Sequence, residues 1–89
     1  MPGEAHDLEK AQAMFKLARK NNWGHRYDRL EHFKRFEHLS MIVKELSVIG
    51  WVFLYKKSQY TGIALNTQYK KEIIAFIEQH MPHVRGVVE

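Results

Sequence analysis

Trp51-Val52-Phe53-Leu54-Tyr55, followed by Lys56-Lys57-Ser58-Gln59 and then Tyr60-Thr61-Gly62-Ile63-Ala64-Leu65, decides the fold class. The first five residues are β-branched, aromatic or leucine, which suits a pleated surface. The polar tetrad interrupts them, and the apolar character then resumes, so the stretch predicts a β-hairpin. Gly62 weakens its second strand or marks a bulge or a close approach. Trp51 to Tyr55 is apolar on both strand faces, whereas a two-stranded hairpin normally keeps one face wet. Either helices cover both sides, or the outer face meets another subunit. Trp51, Phe53 and Tyr55 are the expected interface residues of such an assembly, a homodimer or a contact with another protein.

Downstream, Asn66-Thr67 offers capping oxygens, and Tyr69, Ile73, Phe76, Ile77 and His80 fall on one helical face. Pro82 ends that helix. Val84 to Val88 is short and β-prone, either a third strand or a frayed tail. Upstream, Leu8, Ala11, Phe15 and Ala18 recur at spacings of three and four, with Met14 and Leu17 widening the stripe. They predict a helix from about Glu4 to Lys20. Acids at its start and Lys16, Arg19 and Lys20 at its end complement the helix dipole. Asn21-Asn22-Trp23-Gly24 tolerates left-handed geometry and stops it. From His25 to Ile49 the chain is read as helical again, in one long helix or in two, with Ser40 as the cap of the second and Gly50 closing it.

The expected class is therefore α+β, with two or three N-terminal helices, a hairpin, a C-terminal helix and a short last strand. No repeat or linker divides the 89 residues, so a single small domain over residues 1–89 is expected. Phe15, Phe33, Phe36, Leu46, Ile49, Trp51, Phe53, Ile73, Phe76 and Ile77 are the expected core. The order from Leu39 to Ile77 resembles the layout of winged-helix regulators: a helix ending in glycine, a hairpin wing, and a closing helix. In that family the helix before the wing enters the major groove. Here that helix offers only Lys44, Glu45 and Ser47 as polar residues, a poor set for reading base edges. No functional residue is carried over from the resemblance.

The chain contains no cysteine, which excludes disulfides and thiolate metal sites and favours a reducing interior. No segment approaches the roughly 18–20 apolar residues of a membrane span. Met1-Pro2-Gly3-Glu4 lacks the basic start and apolar stretch of a secretory leader, so a cytoplasmic location without membrane contact is expected.

Catalysis finds no support in these residues. Glu31-His32 and Glu37-His38 are sequence neighbours, and adjacent helical residues point about 100° apart. No serine or threonine sits in a nucleophile elbow, and there is no glycine-rich phosphate loop. His32 and His38 are six apart, and Pro82 separates His80 from His83, so neither pair has metal-ligand spacing. No enzyme activity, cofactor or metal is expected.

Charge points further. From Lys10 to Arg35 the chain carries eight lysines and arginines against Asp28 and Glu31, a net +6, whereas the whole chain is +4. The remainder is thus slightly acidic. Arg19, Lys20, Arg26, Arg29, Lys34 and Arg35, with Trp23 interleaved for stacking, form a candidate nucleic-acid surface. Lys56 and Lys57 at the hairpin tip extend it. The competing view has the same cations serving helix dipoles and local pairs such as Glu31 with Arg35. A non-catalytic binding module follows from the first view, and an assembly subunit from the second.

Overall fold

A computed structural model describes residues 6–88. The expected helix start at Glu4 lies outside the described residues; from Asp7 to Arg19 the chain forms helix α1. Asn21 ends it in the left-handed region, φ 59°. Its N–H donates to Ala18 O, and the Asn22 N–H donates to Leu17 O. This is a Schellman ending, and it satisfies two carbonyls that the helix leaves unpaired. The second helix, α2 (Leu39–Val48), ends the same way. Gly50, φ 83°, donates to Ser47 O, and Trp51 donates to Leu46 O.

The hairpin pairs β2 (Val52–Lys56) with β3 (Thr61–Leu65), and helix α3 (Lys70–His80) follows a turn whose cap, Asn66 Oδ1, accepts from Gln68 N–H at 3.0 Å. Helix, hairpin and closing helix thus fall in the order the winged-helix-like layout has, and the fold is α+β. None of the described helices is long and apolar enough to cross a membrane.

Three readings of the sequence are corrected. The segment from His25 is not helical. Asp28–Arg29 is a short strand, β1, antiparallel to β3 and opposite Ile63 and Gly62, which makes the sheet β1-β3-β2. Leu30, Phe33, Phe36 and Leu39 recur at a spacing of three, the period of a 3₁₀ turn. Leu30–Phe33 adopts that turn, and Phe36 and Leu39 continue it by donating to Phe33 O and Phe36 O. The third strand therefore comes from this segment rather than from Val84 to Val88. Pro82–Val84 is instead a further 3₁₀ turn that folds Val84 into the core. Ser40 does not cap α2; His38 holds that position, and Ser40 is the exposed second residue of the helix.

The core lies between α1, α2, α3 and one sheet face. Met14, Leu17, Phe33, Ile42, Leu65, Ile73 and Ile77 are its largest fully buried side chains. Burying each contributes roughly 1.5–3 kcal/mol. The stripe of α1 is rotated toward Met14 and Leu17, which leaves Leu8 at 51% exposure. Of the expected core, Phe33, Phe36, Leu46, Ile73 and Ile77 are buried, while Ile49 and Phe53 are exposed.

Strand alternation sorts the hairpin. Val52 and Leu54 face the core with their partners Leu65 and Ile63. Phe53 and Tyr55 lie on the outer face, opposite Ala64 and Gly62. A third way of covering that face appears here, because Tyr27 of the same chain lies over Gly62. A Cβ on Gly62 would meet the Tyr27 ring, at 2.9 Å from Cε1, so the glycine marks a close approach.

Candidate anion-binding cleft

Helix α1 buries one face and presents Gln12, Phe15, Lys16, Arg19 and Lys20 on the other, at helical spacings of three and four. The turn following Leu30–Phe33 brings Arg35 and Phe36 across to them, and Met81 closes the third side. These side chains line a cleft of about 750 Å³. Four of them are cationic, and no carboxylate lines the cleft among the described residues.

Lys16 is the most confined of the four. Its ammonium donates to His32 O and lies 4.4 Å from the centre of the Phe33 ring. Partial burial, and then the positive charges of Lys20 and Arg35, hold it below the usual lysine range. Arg19 stacks on Phe15 and Arg35 on Phe36, at 5.7 and 5.0 Å. Neither has a salt bridge among the described residues. Lys20 is anchored at the rim, 3.1 Å from Asp28 Oδ2. Burial raises the Asp28 carboxyl, but hydrogen bonds from His32, Lys20 and the Arg29 N–H outweigh it and hold the group below the ordinary aspartate range. The site thus couples unpaired cations to aromatic floors and fixes one rim cation in place.

The structure gathers Arg19, Lys20 and Arg35 of the predicted set here and places the others elsewhere. Arg29 and Lys57 belong to the outer face of the sheet. Arg29 lies 4.3 Å over Tyr60 and Lys57 5.7 Å over Tyr27. The Tyr27 and Tyr60 hydroxyls are 3.0 Å apart, and the Tyr27 ring is 5.3 Å from Tyr55. Lys34, Arg26 and Lys56 are exposed outside the cleft. Trp23 is half-buried against the core with Lys70 over its ring at 5.6 Å. The expected Glu31–Arg35 pair does not form, because that segment is not α-helical; Glu31 instead lies 3.8 Å from Arg29.

Of the expected interface residues, Trp51 packs edge-on against Phe76 at 5.7 Å. The Tyr55 hydroxyl donates to Gly24 O at 2.7 Å. Phe53 remains 40% exposed. A second, apolar cleft of about 440 Å³ opens where α2 meets β2, lined by Leu39, Val43, Val48 and Leu54 among others.

Lys16, Gln12, Phe15, Phe36 and Met81 escaped selection as site residues. Lys16 carried a signal, since Arg19 and Lys20 follow it by three and four. Phe36 and Met81 carried none, because their part depends on where the chain returns. His32 and His38 do find carboxylates, but not their sequence neighbours: Asp28 at 2.6 Å and Glu9 at 2.9 Å. His6, Glu9 and His38 are the group among the described residues whose donor atoms lie close enough together to hold a metal ion. No family model, curated protein or solved structure matches the chain, so a functional reading has to rest on the geometry of the cleft itself.

Proposed function

We propose that the protein is a small, non-catalytic binding module that holds a phosphate-bearing partner, the backbone of a nucleic acid, in the cleft between α1 and Arg35. One observation carries the reading: four cationic side chains share a concavity that no carboxylate lines among the described residues. Like charges held together are destabilising, and a polyanion relieves that repulsion while releasing its own counterions. The aromatic and cationic outer face of the sheet, with Arg29, Tyr60, Tyr27 and Lys57, supplies a further surface for stacking.

Affinity is expected to be micromolar or weaker. Four phosphate contacts would lower it roughly 50–150-fold between 50 and 200 mM salt, single strands at the low end and duplex at the high end. Fluorescence anisotropy with random duplex and single-stranded oligonucleotides at two salt concentrations tests this. Arg19→Glu with Arg35→Glu should abolish binding, and Arg26→Glu with Arg29→Glu should weaken it less. Absence of binding at low salt would end the proposal.

A second reading, an assembly subunit or homodimer, is favoured by a different observation. β2 is an edge strand, and its own Phe53 stands exposed on the outer face. An exposed apolar edge is a template for another chain. A sedimentation mass that stays monomeric at all concentrations would remove the homodimer.

A further inference from the structure

The start of α1 crosses the start of α2, and His6, Glu9 and His38 meet at the crossing. His6 and Glu9 are three residues apart, on one side of the first turn. His38 arrives from 29 residues beyond Glu9. Each of the three presents one donor atom within 4.8 Å of the other two. The His6 and His38 rings are 4.2 Å apart, centre to centre, and tilted by 43°. Glu9 already grips His38 twice: Oε1 accepts from the backbone N–H at 2.8 Å, and Oε2 lies 2.9 Å from Nδ1. His6 Nδ1 is buried without a hydrogen-bond partner among the described residues. A buried polar atom left so is destabilising unless something occupies it.

We propose that His6, Glu9 and His38 bind a divalent transition-metal ion of the zinc class, with water completing the coordination. The donor set decides the class. Two imidazole nitrogens and one carboxylate oxygen suit zinc and its neighbours, whereas magnesium and calcium require oxygen ligands throughout. Metal–ligand distances of about 2.0–2.2 Å place tetrahedral donors roughly 3.3 Å apart. The Glu9–His38 pair is close to that spacing, and the His6 donor lies within 4.8 Å of both.

On binding, the ion takes the place of the proton between His38 Nδ1 and Glu9 Oε2; a neutral ring then carries its single proton on Nε2, and a charged ring releases one proton to solvent. Glu9 Oε1 keeps its hydrogen bond from the His38 N–H. Lys10, the nearest cation on α1, is already neutralised by Glu45 at 2.5 Å and Asp7 at 3.7 Å. The His38 side chain is 39% exposed, which leaves the site a way in. An ion here clips together segments that are far apart in sequence, a strong lever in a small domain.

The test is thermal unfolding of the untagged chain with Zn²⁺, Co²⁺ or Mg²⁺ alone. Zn²⁺ is expected to raise Tm by several degrees at one ion per chain. Co²⁺ is expected to give the visible absorption of a nitrogen- and oxygen-ligated site, and Mg²⁺ to do neither. His6→Ala and His6→Gln remove no hydrogen bond, so their metal-free Tm should stay near that of the parent while the zinc effect disappears. His25→Ala, at an exposed site elsewhere, should keep the effect in full. No Zn²⁺ shift at tenfold excess, or a shift that survives both His6 substitutions, overturns the site.

Discussion

The two ends of α1 use charge in opposite ways. At the N-terminal end every charge among the described residues has a partner close by. Asp7 lies near Lys10 and His80, Lys10 reaches Glu45, and Glu9 holds His38. At the C-terminal end Lys16, Arg19 and Arg35 surround a cleft that no carboxylate lines among the described residues, and of the four cations only Lys20 has an ion pair there, with Asp28. Paired charges between elements hold the fold together. The cations around the concavity rest on aromatic rings without a carboxylate partner, and under the proposed function an anion supplies one. The helix dipole favours both arrangements, with acids at one end and bases at the other, so it does not distinguish them.

Substitution should separate the two ends most sharply at Glu9. Its carboxylate is 17% exposed and accepts two hydrogen bonds from His38. Glu9→Gln is expected to lower unfolding free energy by about 1.5–3 kcal/mol, the range for bonds to a charged group. Urea titration measures it, and a loss below about 0.5 kcal/mol would break the contrast.

Acid should reproduce part of that loss. Burial raises the Glu9 carboxyl, but its bonds to His38 outweigh this and hold it below the ordinary glutamate range. Asp28 is likewise held low. A depressed carboxyl contributes stability above its unfolded pKa and loses it as pH falls through the folded value. Stability should therefore decline as pH drops below the ordinary carboxylate range. Glu9→Gln should flatten the decline, as a series of urea midpoints across pH would report.

The cleft should show the reverse pattern. Arg35→Gln is expected to change stability by less than about 0.5 kcal/mol, as for an unpaired surface charge. It should nevertheless weaken the rise in Tm that sulfate or phosphate gives the parent chain by binding the folded state. Calorimetry with and without the anion measures both. The smallest effect is expected at the exposed end of the N-terminal network. Glu45→Gln leaves Lys10 its contact with Asp7 and should move the urea midpoint far less than Glu9→Gln does.

Much of the fold was legible from local pattern. α1, α3 and both strands of the hairpin fall where periodicity put them, and Asn21 and Gly50 stop their helices for the reason expected. The stretch from His25 to Phe36 was not legible. Its apolar residues recur every three positions, which suits a weak helix as well as a 3₁₀ turn. Asp28–Arg29 became a strand because β3 offered an unpaired edge and Tyr27 found the space above Gly62. Neither fact is local. The basic band was visible as composition, but its division was not: Arg19, Lys20 and Arg35 converge, while Arg29 and Lys57 turn to the sheet.

Residue order settles what depends on a few neighbours along the chain: helix period, strand alternation, the left-handed stops and the surplus of positive charge. Only the packed chain settles which charges meet. His38 sits beside Glu37 in sequence and bonds to Glu9 in space, and Lys16 shares its cleft with Arg35 from the far side of a loop. Backbone preference acts over one or two turns, whereas electrostatic pairing falls off with distance through space and is indifferent to distance along the chain.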